Sequence, residues 1–130
     1  MTLYDSSVLI EYLDGDEQTV AYVTERTHER AVAPSLVLFE VYQGEVFKHG
    51  AADFDAVDEA LSWLTIVNEI PGVARAAAEL QNDFQEAGAP LAARDAFIAG
   101  AAAVLDERLA VADADFDTEE LTARIDVAVL

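Results

Sequence analysis

Four carboxylates stand where this chain could bring side chains from separate elements together: Asp5, Glu40, Asp95 and Asp113. Oxygen ligands of this kind suit magnesium or manganese, hard cations that favour octahedral geometry and keep several waters. Converging carboxylates repel one another, so their proton affinities rise until a cation relieves the repulsion. An ion held there lowers the pKa of bound water and polarises a phosphoryl oxygen, and a second ion would stabilise the leaving oxygen. Such chemistry needs no histidine, cysteine or serine nucleophile. The chain has no cysteine at all, which excludes disulfides, thiolate metal sites and cysteine nucleophiles. His28 and His49 lie on polar stretches and read as solvated surface residues rather than a metal pair.

Acids make up 26 of the 130 residues, so an acid at any one position carries little information. Context decides. Asp5 follows an apolar TLY and precedes a helical pattern, and ligand crevices in open α/β sheets lie outside the carboxyl ends of strands. It also reads as the N-cap of the following helix, and the two roles are compatible. Glu40, in SLVLFEVYQG, shares a helical face with Leu36, Phe39, Gln43, Gly44 and Phe47. A lone carboxylate buried there is costly unless paired, protonated or metal-bound; the alternative is an edge position that reaches solvent. Asp95, in PLAARDAFIAGAA, shares its face with Leu91, Ile98, Ala99 and Ala102, and is the most informative acid of the chain. The alternative for Asp95 is an ion pair with Arg94, although neighbouring side chains diverge on a helix. Asp113 and Asp115 follow an apolar LAVA run, and either could complete the set; the alternative is an ordinary acidic loop.

The elements that must position these acids alternate between short apolar runs and helical patterns, the signature of an α/β domain with a parallel sheet. Strands are expected at Thr2–Tyr4, Ala31–Ala33, Thr65–Val67, Leu109–Ala112 and Ile125–Val129. Val8, Leu9, Tyr12 and Leu13 recur at helical spacing until Asp14-Gly15-Asp16, and a more polar helix spans Glu17–Glu29. Pro34-Ser35 opens a helix through His49, with Ser35 as N-cap, and Ala51–Trp63 continue as another. Pro71 begins an alanine-rich helix that Gly88 closes, and its small side chains suit close packing within the domain or against another subunit. Pro90 opens the last helix, to Glu107, and Asp113–Asp117 form a loop. Trp63, Phe54 and Leu61 read as packing residues.

The length suits one domain spanning 1–130. Seven Lys+Arg against 26 acids give a formal net charge of -19, and Lys48 is the single lysine. Such a chain repels itself in dilute buffer. The composition points to a salt-adapted protein, whose carboxylate-rich surface stays hydrated at high salt; a cationic partner is compatible with this. MTLYDSSVLIEYL has no basic leading segment, and no apolar stretch approaches the roughly 18 residues that span a bilayer. A cytoplasmic protein without a membrane partner is expected.

DSSVLIEYL, SLVLFEVYQG, ARDAFIAGAA and LAVADADF, in this order across nearly the whole chain, resemble the successive motifs of PIN-domain ribonucleases. The resemblance is closest to the VapC toxins of VapBC toxin–antitoxin systems. It implies a PIN-like three-layer α/β/α fold with a central parallel sheet of four to five strands. It implies Mg2+- or Mn2+-dependent endoribonuclease activity on an RNA substrate. Asp5 and Asp95 match the family's most regular metal ligands, Glu40 the acid that completes the site directly or through water, Asp113 the fourth acidic position, and Asp115 a more peripheral acid. A VapB-like antitoxin that covers the acidic groove with an inserted basic side chain is implied as well, as is a homodimer. The family commonly has threonine and asparagine after its first aspartate; Ser6 and Ser7 stand here, and either can hydrogen-bond the acids. Val111 and Ala112 replace a threonine and asparagine before Asp113.

RNA is a polyanion, and seven bases cannot build a large basic patch. At about 1 M salt, however, the Debye length is roughly 3 Å, and a bound metal supplies positive charge at the point of reaction. Arg94 reads either as a phosphate contact or as a surface ion pair. Two other classes compete. A receiver or phosphotransfer hydrolase would also use a strand-end aspartate, but the only lysine sits mid-helix and Ser7 occupies the place of a second acid. A non-catalytic binding module would carry its acids for solubility alone.

Overall fold

The computed structural model describes residues 1–48 and 50–130, so the expectations placed on His49 lie outside the described residues. Five strands form one parallel sheet: β1 (Thr2–Tyr4), β2 (Ala31–Pro34), β3 (Thr65–Val67), β4 (Arg108–Val111) and β5 (Val127–Val129), in the order β3-β2-β1-β4-β5. β1 is central, with Leu3 opposite Val32 of β2 on one side and Leu109 of β4 on the other. Its three residues are all buried, as are Leu109–Val111. A strand covered on both faces has no reason to alternate, which is why both runs are continuously apolar apart from Thr2.

The chain first winds outward from β1 to β2 and β3, then returns past β1 to β4 and β5. With right-handed crossovers this order puts α1 (Ser6–Leu13), α2 (Glu17–Thr24), α3 (Ser35–Val46) and α4 (Phe54–Ala60) on one face. It puts α5 (Val73–Glu86), α6 (Ala93–Leu105) and α7 (Glu119–Thr122) on the other. The expected three layers and five-stranded parallel sheet are therefore present. The reversal of winding falls between β1 and β4, where their carboxyl ends leave a crevice.

Several boundaries differ from the sequence reading, each for a local reason. The second helix ends at Thr24 rather than Glu29, where Arg26 turns back to lie 3.6 Å over the Tyr22 ring and donate to the Tyr22 carbonyl. β2 runs through Pro34, which pairs with Val67. Pro34, not Ser35, is then the N-cap of α3, with no side-chain cap, and the helix ends at Val46. α4 starts only at Phe54, where the Asp53 carboxylate accepts from the Ala56 N–H at 3.0 Å. α6 begins at Ala93 because residues 87–92 form a loop held by Gln81, whose side chain bonds both the N–H and the carbonyl of Leu91. A 3-10 turn, Ala114–Phe116, and α7 occupy the stretch after β4; Thr118 caps α7 by accepting from Leu121.

α5 packs on α6 within the chain, as its small residues allow. The approach is close: a Cβ on Gly100 would lie 2.8 Å from the backbone of Ala77. Trp63 packs edge-on against Tyr4 and Tyr12, and Leu61 is buried. Among the described residues no helix is long and apolar enough to cross a membrane.

Candidate metal centre

Asp5 sits one residue beyond β1, at the crevice between β1 and β4, and is 1% exposed. It caps α1: Oδ2 accepts from the Ser7 N–H at 3.2 Å and from the Ser7 hydroxyl at 2.6 Å. The same hydroxyl accepts from the Ala112 N–H at 3.0 Å, which ties the end of β1 to the end of β4. Oδ1 of Asp5 remains directed away from the cap, and it accepts from Arg94 Nη2 at 2.7 Å. The capping role and the cluster role are thus divided between the two oxygens of one carboxylate.

Asp95 is the third residue of α6 and is buried, with Ile98, Ala99 and Ala102 buried on the same helix. The first turn of a helix favours negative charge, because its N–H groups point toward it. Burial nevertheless pushes the Asp95 carboxyl up from its ordinary value. Hydrogen bonding and charge from Arg94 pull it down, and the charges of Asp5 and Asp113 add to the upward push.

Glu40 lies in the middle of α3 with its side chain partly exposed. Its setting differs from the apolar buried face inferred from sequence. Phe39 is 57% exposed and Phe47 79%, and the residues α3 buries are Val37 and Val41. Glu40 is an edge residue whose carboxylate turns toward the crevice.

The three carboxylates meet on one side chain. Arg94 donates from Nε and Nη2 to the two oxygens of Glu40 at 2.5 and 2.6 Å, and from Nη1 to Asp95 Oδ1 at 2.7 Å. Nη2 also reaches Asp5 Oδ1 at 2.7 Å and the Ser6 hydroxyl oxygen at 2.7 Å. Burial opposes the charge on Arg94, but the hydrogen bonds of Glu40 and the charges around it outweigh that, and its pKa is raised. The divergence rule for neighbouring helical residues does not hold here, because the long Arg94 side chain in the first turn folds back over Asp95. Sequence reasoning gave Arg94 a peripheral place; it stands at the centre. The available signal was charge balance, since acids converging in a crevice require a cation and Arg94 adjoins Asp95, the acid on the most apolar helix face.

Asp113 stands apart from this group. Its Oδ1 accepts from the Asp115 N–H at 2.9 Å and caps the 3-10 turn, while its charge is near enough to bear on Asp95. Asp115 lines an open cleft of about 420 Å3 with Asp95, Leu91, Ala114 and Thr118. Among the described residues no three acids or histidines are arranged to hold an ion as they stand. The oxygens that would do so are turned onto the Arg94 guanidinium. The donor set itself, carboxylates with hydroxyls beside them and a cation already held among them, fits a hard divalent ion. Among the described residues, Arg26 pairs with Glu25, Lys48 with Asp14 and Glu45, Arg75 with Glu79, Arg108 with Glu29 and Asp126, and Arg124 with Asp83.

A family model described as PIN domain matches residues 2–118. The chain belongs to the PIN-domain family. Solved structures with this fold include FitAcB from Neisseria gonorrhoeae, 21% identical, with a TM-score of 0.75 over 98% of this chain and 96% of that one. VapBC2 from Rickettsia felis bound to a DNA fragment from their promoter is 14% identical, with a TM-score of 0.84 over 98% and 97%. A toxin–antitoxin complex from Klebsiella pneumoniae is 19% identical, with a TM-score of 0.75 over 99% and 97%. No curated protein matches the chain by sequence. For a PIN domain, the crevice between β1 and β4 is where the acids of this chain gather.

Proposed function

We propose that this chain, as one PIN unit, is a divalent-metal-dependent endoribonuclease acting as the toxin of a toxin–antitoxin pair. One observation carries the reading: oxygens of Asp5, Glu40 and Asp95, from three separate elements, converge on a single positive group at the carboxyl end of the sheet. Asp5, Glu40 and Asp95 would hold Mg2+ or Mn2+, with Asp113 or Asp115 completing the set. A bound ion of this kind supplies a more acidic water and a polarised phosphoryl oxygen. The protein's own share is positional. Ser7 holds the first aspartate, the α5–α6 contact fixes the helix that carries Asp95, and the open cleft beside Asp95 and Asp115 gives a strand of RNA room to approach.

A VapB-like antitoxin is the proposed partner. The supports are the resemblance of the four motifs, the toxin–antitoxin complex among the similar structures, and a net charge of -19 that favours a basic contact. Cleavage is proposed to survive or require high KCl, because screening removes the repulsion between this surface and RNA.

The purified protein, free of antitoxin, is incubated with single-stranded RNA and Mg2+ or Mn2+ across a KCl series. Metal-dependent cleavage persisting near molar KCl, and lost in Asp5→Asn and Asp95→Asn proteins that still fold, is expected. Cleavage unchanged in both variants refutes the assignment. Cleavage that is fastest at low salt and vanishes near molar KCl contradicts the salt-adaptation part.

A further inference from the structure

The cation already shared by Asp5, Glu40 and Asp95 belongs to the protein. The guanidinium of Arg94 covers both oxygens of Glu40, one of Asp5 and one of Asp95, all at 2.5–2.7 Å. Guanidinium donates and a metal ion accepts electron pairs, so both need the same carboxylate lone pairs. They cannot use the same oxygens in the same directions at once. Three carboxylates against one guanidinium leave the group at -2, so a dication is favoured there over a monocation. Against that stand four charge-assisted hydrogen bonds, stronger than neutral ones and preorganised by the planar fork of arginine.

The route out is open. The Arg94 side chain keeps 29% exposure although Asp5 beneath it has 1%. Its backbone lies in the first turn of α6, immediately after the 87–92 loop.

Resting on the metal reading above, we propose that Arg94 is a resident counter-ion that a divalent ion must displace. It keeps the acids assembled without metal and sets the metal concentration at which the site loads. Removing it then has two opposite effects: the metal-free fold loses stability, and the site gains affinity for metal. A residue that only supported the ligands would lower both.

The test is Mn2+ binding in the absence of RNA, by calorimetry at fixed KCl, for wild type and Arg94→Ala, with melting measured at the same time. Arg94→Ala is expected to bind Mn2+ about tenfold tighter or more, the equivalent of one lost hydrogen bond of this kind. It is expected to melt lower without metal and to show the larger Mn2+-induced rise in melting temperature. Unchanged or weaker Mn2+ affinity in Arg94→Ala overturns the competition while leaving the nuclease reading intact. Failure of both proteins to bind Mn2+ overturns both. Should Arg94→Ala not fold, Arg94→Gln is titrated in its place, and the wild type is followed by NMR of the Arg94 Nε–H during Mg2+ titration. Movement of that signal away from its carboxylate-bound position supports displacement, and its persistence at saturating Mg2+ overturns it.

Discussion

Ser7→Ala removes one oxygen atom that bridges two strand ends. In the folded chain the Ser7 hydroxyl donates to Asp5 Oδ2 at 2.6 Å and accepts from the Ala112 N–H at 3.0 Å. The first bond involves a charged acceptor on a carboxylate that is 1% exposed, and such bonds contribute about 1.5–3 kcal/mol. The second, once lost, leaves a partly buried backbone N–H without its partner, at about 1–3 kcal/mol. Asp5 keeps its bond from the Ser7 N–H, and Ser7 and Ala112 are only partly buried, so water restores some of the loss. A net cost of about 2 kcal/mol follows. An unfolding entropy near 2.1 cal/mol/K per residue over this chain length converts that to a fall in melting temperature of roughly 7 °C. Differential scanning calorimetry at high KCl, where the surface charge is screened, measures it directly. Ser7→Thr keeps the hydroxyl and is expected to retain more than half of the stability. A fall of less than about 2 °C for Ser7→Ala would show that the hydroxyl bridge does not hold Asp5 in place.

Gly100→Ala tests the packing that fixes α6. Alanine is the better helix former by about 1 kcal/mol, yet its Cβ would lie 2.8 Å from the Ala77 backbone and force α5 outward. Overpacking costs typically about 1–3 kcal/mol, so a net fall in calorimetric melting temperature is expected, and a rise would contradict the geometry. Tyr4 gives an alkaline limit. Burial, then the charge of Tyr22, push its phenol up to about 12. Its ordinary value is near 10, so the folded state holds this proton more tightly than the unfolded one. The contribution is complete below pH 10 and is lost as pH rises toward 12, by roughly 1–2 kcal/mol between pH 10 and 11.5. Urea denaturation at both pH values should show that loss, and Tyr4→Phe should abolish this share of it; a pH slope unchanged in Tyr4→Phe contradicts the assignment.

The sheet and the order of its elements were legible because Leu3–Tyr4 and Leu109–Val111 are apolar runs, each followed within two residues by an acid. That pattern belongs to a strand buried on both faces that ends at a crevice. The buried setting of Asp95 was legible from Ile98, Ala99 and Ala102, which are buried on its helix, whereas Leu91 lies in the loop before α6 and is only partly buried. Glu40 was singled out for a reason the fold does not share: Phe39 and Phe47 beside it are exposed, and sequence alone cannot tell an apolar face that is covered from one that is not. Ser35 looked like a cap by residue type, but β2 pairs through Pro34 and the helix starts without one. Arg94 was displaced to the rim by a rule for helix interiors, which a long side chain in a first turn does not obey. The start of α6 depended on a tertiary anchor, Gln81 on Leu91, that leaves no local trace.

The most direct measurement of the account is anomalous scattering from crystals of the protein soaked in MnCl2. The account predicts a manganese peak among the carboxylates of Asp5, Glu40 and Asp95, with the Arg94 guanidinium moved off their oxygens. A structure in which Arg94 still holds all three carboxylates at saturating Mn2+, with manganese elsewhere or absent, would contradict it.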